Sequence, residues 1–162
     1  KYRIRIYNYS LETIKLEVKE KLDSRIRKKS RKITQNEMRH LMYGECIEDS
    51  GTVEDPATLF NLAIRTKGLS PRVIVTYERK AYIYQDGNVR ITFDRNVRAD
   101  EFTENFGKKV REQNWLRGSD AVLEVKYDEF IPDFILQFLE LGNMRQTSYS
   151  KYQLCRERYQ II

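Results

Sequence analysis

Residues 1–10, KYRIRIYNYS, place basic and apolar side chains in strict alternation, with Arg3 and Arg5 between Ile4 and Ile6. Because successive side chains of a β-strand point to opposite faces, this alternation predicts a strand with one apolar and one cationic face. Like charges along one face repel one another unless something neutralises them. The stretch therefore predicts a strand and raises the question of which negative charge the cations meet.

The same alternation recurs along the chain and predicts a mainly antiparallel β-structure. Segments 13–22 and 25–33 form a predicted hairpin, with turn residues Asp23 and Ser24 between them. The remaining predicted strands are residues 1–9, 72–84, 89–97 and 121–129.

Three stretches change to helical spacing and predict helices near residues 34–43, 57–67 and 132–141. Thr34 and Glu37 are spaced as a capping box, and Pro56 opens the second helix. The order of strands and helices predicts an α+β fold or a closed antiparallel barrel, in one domain spanning residues 1–162.

Composition excludes several classes of function. The 30 Lys and Arg residues outnumber the 24 Asp and Glu residues, which favours anionic partners or serves solubility alone. Cys46 and Cys155 form no CxxC pair, so a zinc site is not indicated, and thiols without a disulfide framework suit a cytoplasmic protein. His40 is the single histidine, which argues against a catalytic triad, and no phosphate-binding P-loop motif is present.

The charged strand faces leave two arrangements open. In the first, apolar faces fill a barrel and the charges meet water. In the second, apolar faces pack outward beneath the helices and the charges line a lumen. Glu17 and Glu124 are single carboxylates among many cations, a mixture that suits a polyphosphate and its divalent metal ion. The second arrangement is the one we expect.

Seven motifs now point to a family: YRIRIY, LEVKEK, RKKSRK, VTYERKAY, VRITFDRNV, LEVKYD and SYSKY, in that order. Together they resemble the vacuolar transporter chaperone (VTC) domain, a polyphosphate polymerase module of the triphosphate tunnel metalloenzyme (CYTH-like) superfamily. The resemblance covers almost the whole chain. It implies an antiparallel β-tunnel with a basic lumen, flanked by helices. It also implies transfer of the terminal phosphoryl group of ATP to a growing polyphosphate chain, with Mn²⁺ or Mg²⁺ as cofactor.

The resemblance assigns phosphate-gripping roles on the first three strands to Arg3, Arg5, Lys19 and Lys29, although Lys28 adjoins the last of these. Two departures accompany these assignments. The family's N-terminal strand segment, which precedes YRIRIY, is expected to be missing from this chain. A second lysine of the family, shortly before the SKY motif, is replaced here by Ser148, with Arg145 as a nearby substitute.

Further roles follow from the later motifs. Arg79 and Arg90 match the family's tunnel arginines, Glu124 its metal-binding glutamate, and Lys151 the lysine near the tunnel mouth. Tyr77 would line the wall. Alternation of faces, more than the resemblance, adds two further substrate-binding residues, Glu17 and Lys126.

Two other functions stay open at this point. One is a triphosphate hydrolase on the same scaffold, with water as the acceptor; the other is a module that binds polyanions or nucleic acid without catalysis. Because the cations lie on separate strands and mix with carboxylates, we expect no stable nucleic-acid complex. The expected partners are ATP and inorganic polyphosphate. The expected location is the cytoplasm, or the inner face of a membrane through a membrane-associated partner.

Overall fold

The structure is a computed structural model that describes residues 1–22, 25–109, 113–114, 121–140, 142 and 147–159. The chain divides into two compact units. Residues 1–72 and 102–110 form the first unit, and residues 73–101 and 111–162 form the second. Each unit contains its own antiparallel sheet.

The sheet of the first unit has three strands: β1 (Tyr2–Tyr7), β2 (Ser10–Leu22) and β3 (Arg25–Ile33). They pair antiparallel in the order β1-β2-β3. Leu22 pairs with Arg25, so the predicted hairpin of β2 and β3 is confirmed. The predicted turn residues 23–24 lie outside the described residues.

Two helices, α1 (Gln35–Met42) and α2 (Pro56–Lys67), cover the apolar face of this sheet. The predicted capping box of α1 is formed, since Thr34 Oγ1 accepts from the Glu37 amide at 3.1 Å and the Glu37 carboxylate accepts from the Thr34 amide at 2.7 Å. In this unit the apolar strand face therefore packs under helices. The buried core residues are Ile14, Leu16, Val18, Ile33, Met38, Leu41, Ile47, Ala57, Leu59 and Phe60.

The second unit is built around a central strand. The strands are β4 (Ile74–Tyr84), β5 (Val89–Asp100), β6 (Gln113–Asn114) and β7 (Ala121–Lys126). Strand β5 pairs antiparallel with each of the other three. It is therefore the strand that brings side chains from β4 and β7 together.

A tight turn, Asp86–Asn88, joins β4 to β5. Gly87 has a φ of 74°, and a Cβ at this position would lie 2.2 Å from the carbonyl oxygen of Phe130. The backbone of residues 128–130 therefore approaches the turn too closely for any residue but glycine. The Asp128 amide donates to the Gly87 carbonyl at 3.1 Å, which holds the two segments together.

In the second unit the described residues include two helices, α3 (Asp133–Leu139) and α4 (Lys151–Tyr159). Helix α3 lies within the predicted stretch 132–141; Ile135 is its buried residue, while Phe138 is 77% exposed. Helix α4 was not predicted. Its Cys155 packs on Val97 and Ala99 of β5.

An α+β architecture with antiparallel sheets and four α-helices is thus present in the described part of the chain. Within the same residues, no strand pairing closes either sheet into the predicted barrel. Among the described helices, none combines the length and the apolar character that crossing a bilayer requires.

Candidate functional site

Strand register brings six basic side chains to one face of the first sheet, which we call the β1–β3 basic face. Glu17 in the middle strand pairs with Arg3 on one side and Ser30 on the other. Since directly paired residues point to the same face, the neighbouring pairs add cations around this carboxylate. The six are Arg3, Arg5, Lys15, Lys19, Lys28 and Lys32.

Glu17 holds three of these cations. Its side chain is 2% exposed and accepts hydrogen bonds from Arg3 Nε and Lys28 Nζ, each at 2.8 Å, while Arg5 Nε lies 3.6 Å from Oε2. Burial acts to raise the pKa of Glu17, but the hydrogen bonds from Lys28 and Arg3 and the charge of Arg5 outweigh it, so this pKa falls to about 2. The carboxylate is therefore charged at neutral pH and orients its cations.

The structure corrects the face assigned to Lys29. This residue pairs with Val18 and lies on the helix-covered face, where its side chain is 7% exposed. Its Nζ donates to the Val53 carbonyl and lies 3.8 Å from Glu54. Lys28, one position earlier, points to the β1–β3 basic face instead. The resemblance assigned the phosphate-binding role to Lys29, whereas the register places Lys28 on the β1–β3 basic face, because neighbouring residues of a strand point to opposite faces.

In the second unit, a fully buried carboxylate binds two predicted site residues. Asp94 is 0% exposed and receives two hydrogen bonds from Arg79, at 2.6 and 2.7 Å, while Lys151 Nζ lies 2.5 Å from Oδ2. Burial acts to raise the pKa of Asp94, but Arg79 and Lys151 reverse this and hold that pKa below its usual range. The Tyr77 ring lies 5.3 Å from the Arg79 guanidinium and 5.1 Å from Lys151 Nζ.

Beside this cluster lies an open pocket, the β5 pocket, lined by Arg79, Arg90, Thr92, Glu124 and Lys126. Thr92 pairs with Glu124, and Arg90 pairs with Lys126, across β5 and β7. The Glu124 carboxylate lies 3.7 Å from Arg79 Nη2 and 3.3 Å from Lys126 Nζ. The lining thus has three cations for one carboxylate.

Glu124 is the pocket residue that suits a divalent metal ion. It is 41% exposed and its cations lie 3.3 and 3.7 Å away, whereas Glu17 and Asp94 are buried and accept close hydrogen bonds from basic side chains. No group of three His, Cys, Asp or Glu side chains in the described residues could hold a metal ion alone. The residues therefore fit an ion of the Mg²⁺ type, which takes one carboxylate and completes its shell with phosphate oxygens and water.

The predicted residues are thus brought together in part. Arg3, Arg5 and Lys19 share the β1–β3 basic face with Glu17. The predicted residues of the second unit lie in the β5 pocket or around Asp94; they are Tyr77, Arg79, Arg90, Glu124, Lys126 and Lys151. The proposed substitute Arg145 lies outside the described residues.

Three residues that contribute to these clusters were not predicted as site residues: Lys28, Thr92 and Asp94. The motif VRITFDRNV did contain a usable signal, because alternation from Arg90 places Thr92 and Asp94 on the same face. A carboxylate such as Asp94, on the same strand face as basic residues, is expected to form ion pairs with the basic side chains near it. Lys28 could not be separated from Lys29 without the register.

The family model of the VTC domain matches residues 1–159. No curated protein matches the chain significantly, and no solved structure does so either.

Proposed function

Because the chain belongs to the VTC domain family, which is associated with polyphosphate polymerase activity, we propose that it extends inorganic polyphosphate with phosphoryl groups from ATP. Each transfer breaks the bond between the β- and γ-phosphates, forms a bond from the terminal phosphorus to an oxygen of the chain end, and releases ADP. Mn²⁺ or Mg²⁺ is the proposed cofactor.

The observation that carries this proposal is the surplus of oriented cations around single carboxylates. On the β1–β3 basic face, six basic residues share the face with Glu17, and three of them contact its carboxylate. In the β5 pocket, three surround Glu124. Each surplus leaves positive charge that a polyphosphate chain or a triphosphate would neutralise.

Phosphoryl transfer asks the protein mainly to position phosphates and to balance their charge. Arg79, Arg90 and Lys126 line the β5 pocket and are proposed to bind the triphosphate of ATP. Asp94 grips Arg79 through Nε and Nη2, which limits the directions that the guanidinium can take. Cations held in place before the substrate arrives stabilise the transition state without a cost of reorganisation.

The β1–β3 basic face is proposed to bind polyphosphate. Arg3 donates through Nε and Nη2 to Glu17, so its remaining N–H groups, together with those of Arg5, are the donors proposed for phosphate oxygens. Lys19 and Lys28 act as point charges. Lys28 takes the role that sequence assigned to Lys29. Glu17 is proposed to orient this group and not to bind the substrate, because its own oxygens are taken by cations.

Glu124 is proposed to contact the divalent ion. A bound ion would neutralise charge on the phosphate oxygens and polarise the group that is transferred. Lys126 and Arg79, which pair with Glu124 in the structure described here, would remain beside the phosphates to balance their charge.

One experiment separates the proposal from its rivals. The chain is incubated with ATP and Mn²⁺, or with ATP and EDTA, and the products are separated on a gel stained for polyphosphate. We expect a ladder of long chains with Mn²⁺ and none with EDTA. Release of free phosphate without a ladder would identify a triphosphate hydrolase. Binding of polyphosphate without any turnover would identify a polyanion-binding module and would contradict the proposed reaction.

A further inference from the structure

Thr92 has a buried hydroxyl that makes no hydrogen bond within the described residues. The residue is 3% exposed, and its Oγ1 has no hydrogen-bond partner among the described residues. Buried polar atoms are nearly always paired, and an unpaired one destabilises the folded state. A buried hydroxyl without a partner in the protein is therefore a candidate hydrogen-bond donor to a bound ligand.

The neighbours of Thr92 explain why the protein itself supplies no partner. On β4 it pairs with Ala81, whose side chain has no polar atom. On β7 it pairs with Glu124, but this carboxylate lies close to Arg79 and Lys126. Thr92 thus lines the β5 pocket, and its covered hydroxyl belongs to a residue paired with Ala81 on one side and with Glu124, which contacts two cations, on the other.

We propose that Thr92 Oγ1 donates a hydrogen bond to a phosphate oxygen of the triphosphate bound in the β5 pocket; this inference rests on the proposed function. Cations that line a pocket attract an anion, and phosphate oxygens are strong acceptors for a hydroxyl donor. Arg79, Arg90 and Lys126 would neutralise the phosphate, and Thr92 would fix the position of one oxygen.

The ligand gains access to Thr92 by movement of the side chains above it. Oγ1 is closed to solvent in the structure, but Glu124 and Lys126 are 41% and 58% exposed and can change rotamer. An entering phosphate replaces Glu124 as the anionic neighbour of Arg79 and Lys126. Glu124 is then released from these two cations, and the space in front of the hydroxyl opens.

The substitution Thr92→Val tests this inference because two roles of the hydroxyl predict opposite results. Valine has nearly the shape of threonine and also favours strands, but it has no hydroxyl. If the hydroxyl serves only the ligand, its removal leaves the melting temperature unchanged or raised, since an unpaired buried group is lost. If the hydroxyl stabilises the fold, the melting temperature falls.

The measurement is calorimetric titration with inorganic tripolyphosphate, in EDTA and in Mg²⁺, alongside thermal unfolding. We expect Thr92→Val to weaken binding by about 10-fold or more under both conditions, as for a lost hydrogen bond to a charged group, without loss of stability. Thr92→Ser keeps the donor and is expected to bind within a few-fold of the unmodified chain. Unchanged affinity of the valine variant, or a loss confined to Mg²⁺, would overturn the inference.

The same titration separates this inference from the proposed function. If the unmodified chain forms polyphosphate from ATP but Thr92→Val binds tripolyphosphate normally, the inference fails and the function stands. If the valine variant shows the expected loss of binding but the unmodified chain forms no polyphosphate, the inference stands and the proposed reaction fails. A fall in melting temperature for the valine variant assigns the hydroxyl to the fold and rejects the inference.

Discussion

Glu17 makes the stability of the chain depend on pH through one side chain. Its pKa in the folded state is about 2, below the ordinary value of 4.5, so the unfolded chain takes up this proton more readily. The stabilisation is therefore complete above about pH 5 and is lost as the pH falls towards 2. We expect Glu17→Gln to lower the free energy of unfolding at pH 7 by about 1–3 kcal/mol.

Urea unfolding over a pH series measures this effect. The difference between the unmodified chain and Glu17→Gln should shrink between pH 5 and pH 2, because protonation removes the same charge. Glu12 is an exposed residue of the same strand with no ion pair in the described part of the chain, and Glu12→Gln is the matched control. Parallel curves for the Glu17 variant and the unmodified chain would show that this carboxylate is not the cause.

Arg90 and Arg95 test which face of β5 meets the substrate. Both are exposed and both lie on one strand, but their side chains point to opposite faces. Only Arg90 lines the β5 pocket. We expect Arg90→Ala to lower turnover with ATP and Mn²⁺ by about 10²–10³-fold, as for loss of one charge-stabilising donor, and Arg95→Ala to stay near the unmodified rate.

Initial rates of ADP release give this comparison, with circular dichroism as the test that both variants fold. Exposed substitutions of this kind change stability by about 0.5 kcal/mol or less. Equal losses in the two variants would mean that general positive charge, and not the β5 pocket, supports the reaction.

At the scale of the strand, register decides the roles of Lys28 and Lys29. Lys28 lies on the β1–β3 basic face, whereas Lys29 lies on the helix-covered face and donates to the Val53 carbonyl. We expect Lys28→Ala to weaken polyphosphate binding. Its cost in stability is expected to be about 1 kcal/mol or less, because Lys28 is half-exposed and Arg3 and Arg5 still pair with Glu17. We expect Lys29→Ala to cost about 1–3 kcal/mol of stability and to leave the affinity of the folded protein nearly unchanged.

Polyphosphate titration and thermal unfolding of the two variants provide the measurement, and each variant is the control for the other. The reverse outcome, in which Lys29→Ala binds weakly but folds normally, would restore the assignment that motif likeness favoured. It would also mean that the register of β2 with β3 differs from the one described.

The elements that sequence predicted well are those with a clear period. Strand β2 alternates Ile14, Leu16 and Val18 with charges, and all three are buried. Helix α1 begins at the predicted capping box because Thr34 and Glu37 satisfy each other's amides whatever the rest of the chain does. Such local signals do not depend on distant residues, so a single sequence carries them.

Helix α4 shows why other elements were missed. Its sequence, KYQLCRERY, has no continuous apolar stripe, so no helical period stands out. The contact that holds it is made with residues distant in sequence, since Cys155 packs on Val97 and Ala99. The motif SYSKY therefore identified Lys151 as a site residue without revealing that it begins a helix and reaches Asp94.

At the scale of the whole molecule, alternation predicts which residues share a face but not which strands become neighbours. The sequence predicted one closed sheet, whereas the described strands form two sheets in two units. Each unit has a buried carboxylate that gathers cations, Glu17 in the first and Asp94 in the second. In this chain of net charge +6, basic side chains therefore cluster around a buried carboxylate within each unit.

The position of Cys155 gives the second unit a chemical reporter. Its thiol is fully covered where α4 meets β5, and Lys151 begins the same helix four residues earlier. Any event that lifts this helix would expose sulfur to an alkylating reagent and would at the same time withdraw an ammonium group from Asp94. Alkylation kinetics, with the partly accessible Cys46 of the first unit as an internal reference, would then report how often the lysine leaves its carboxylate.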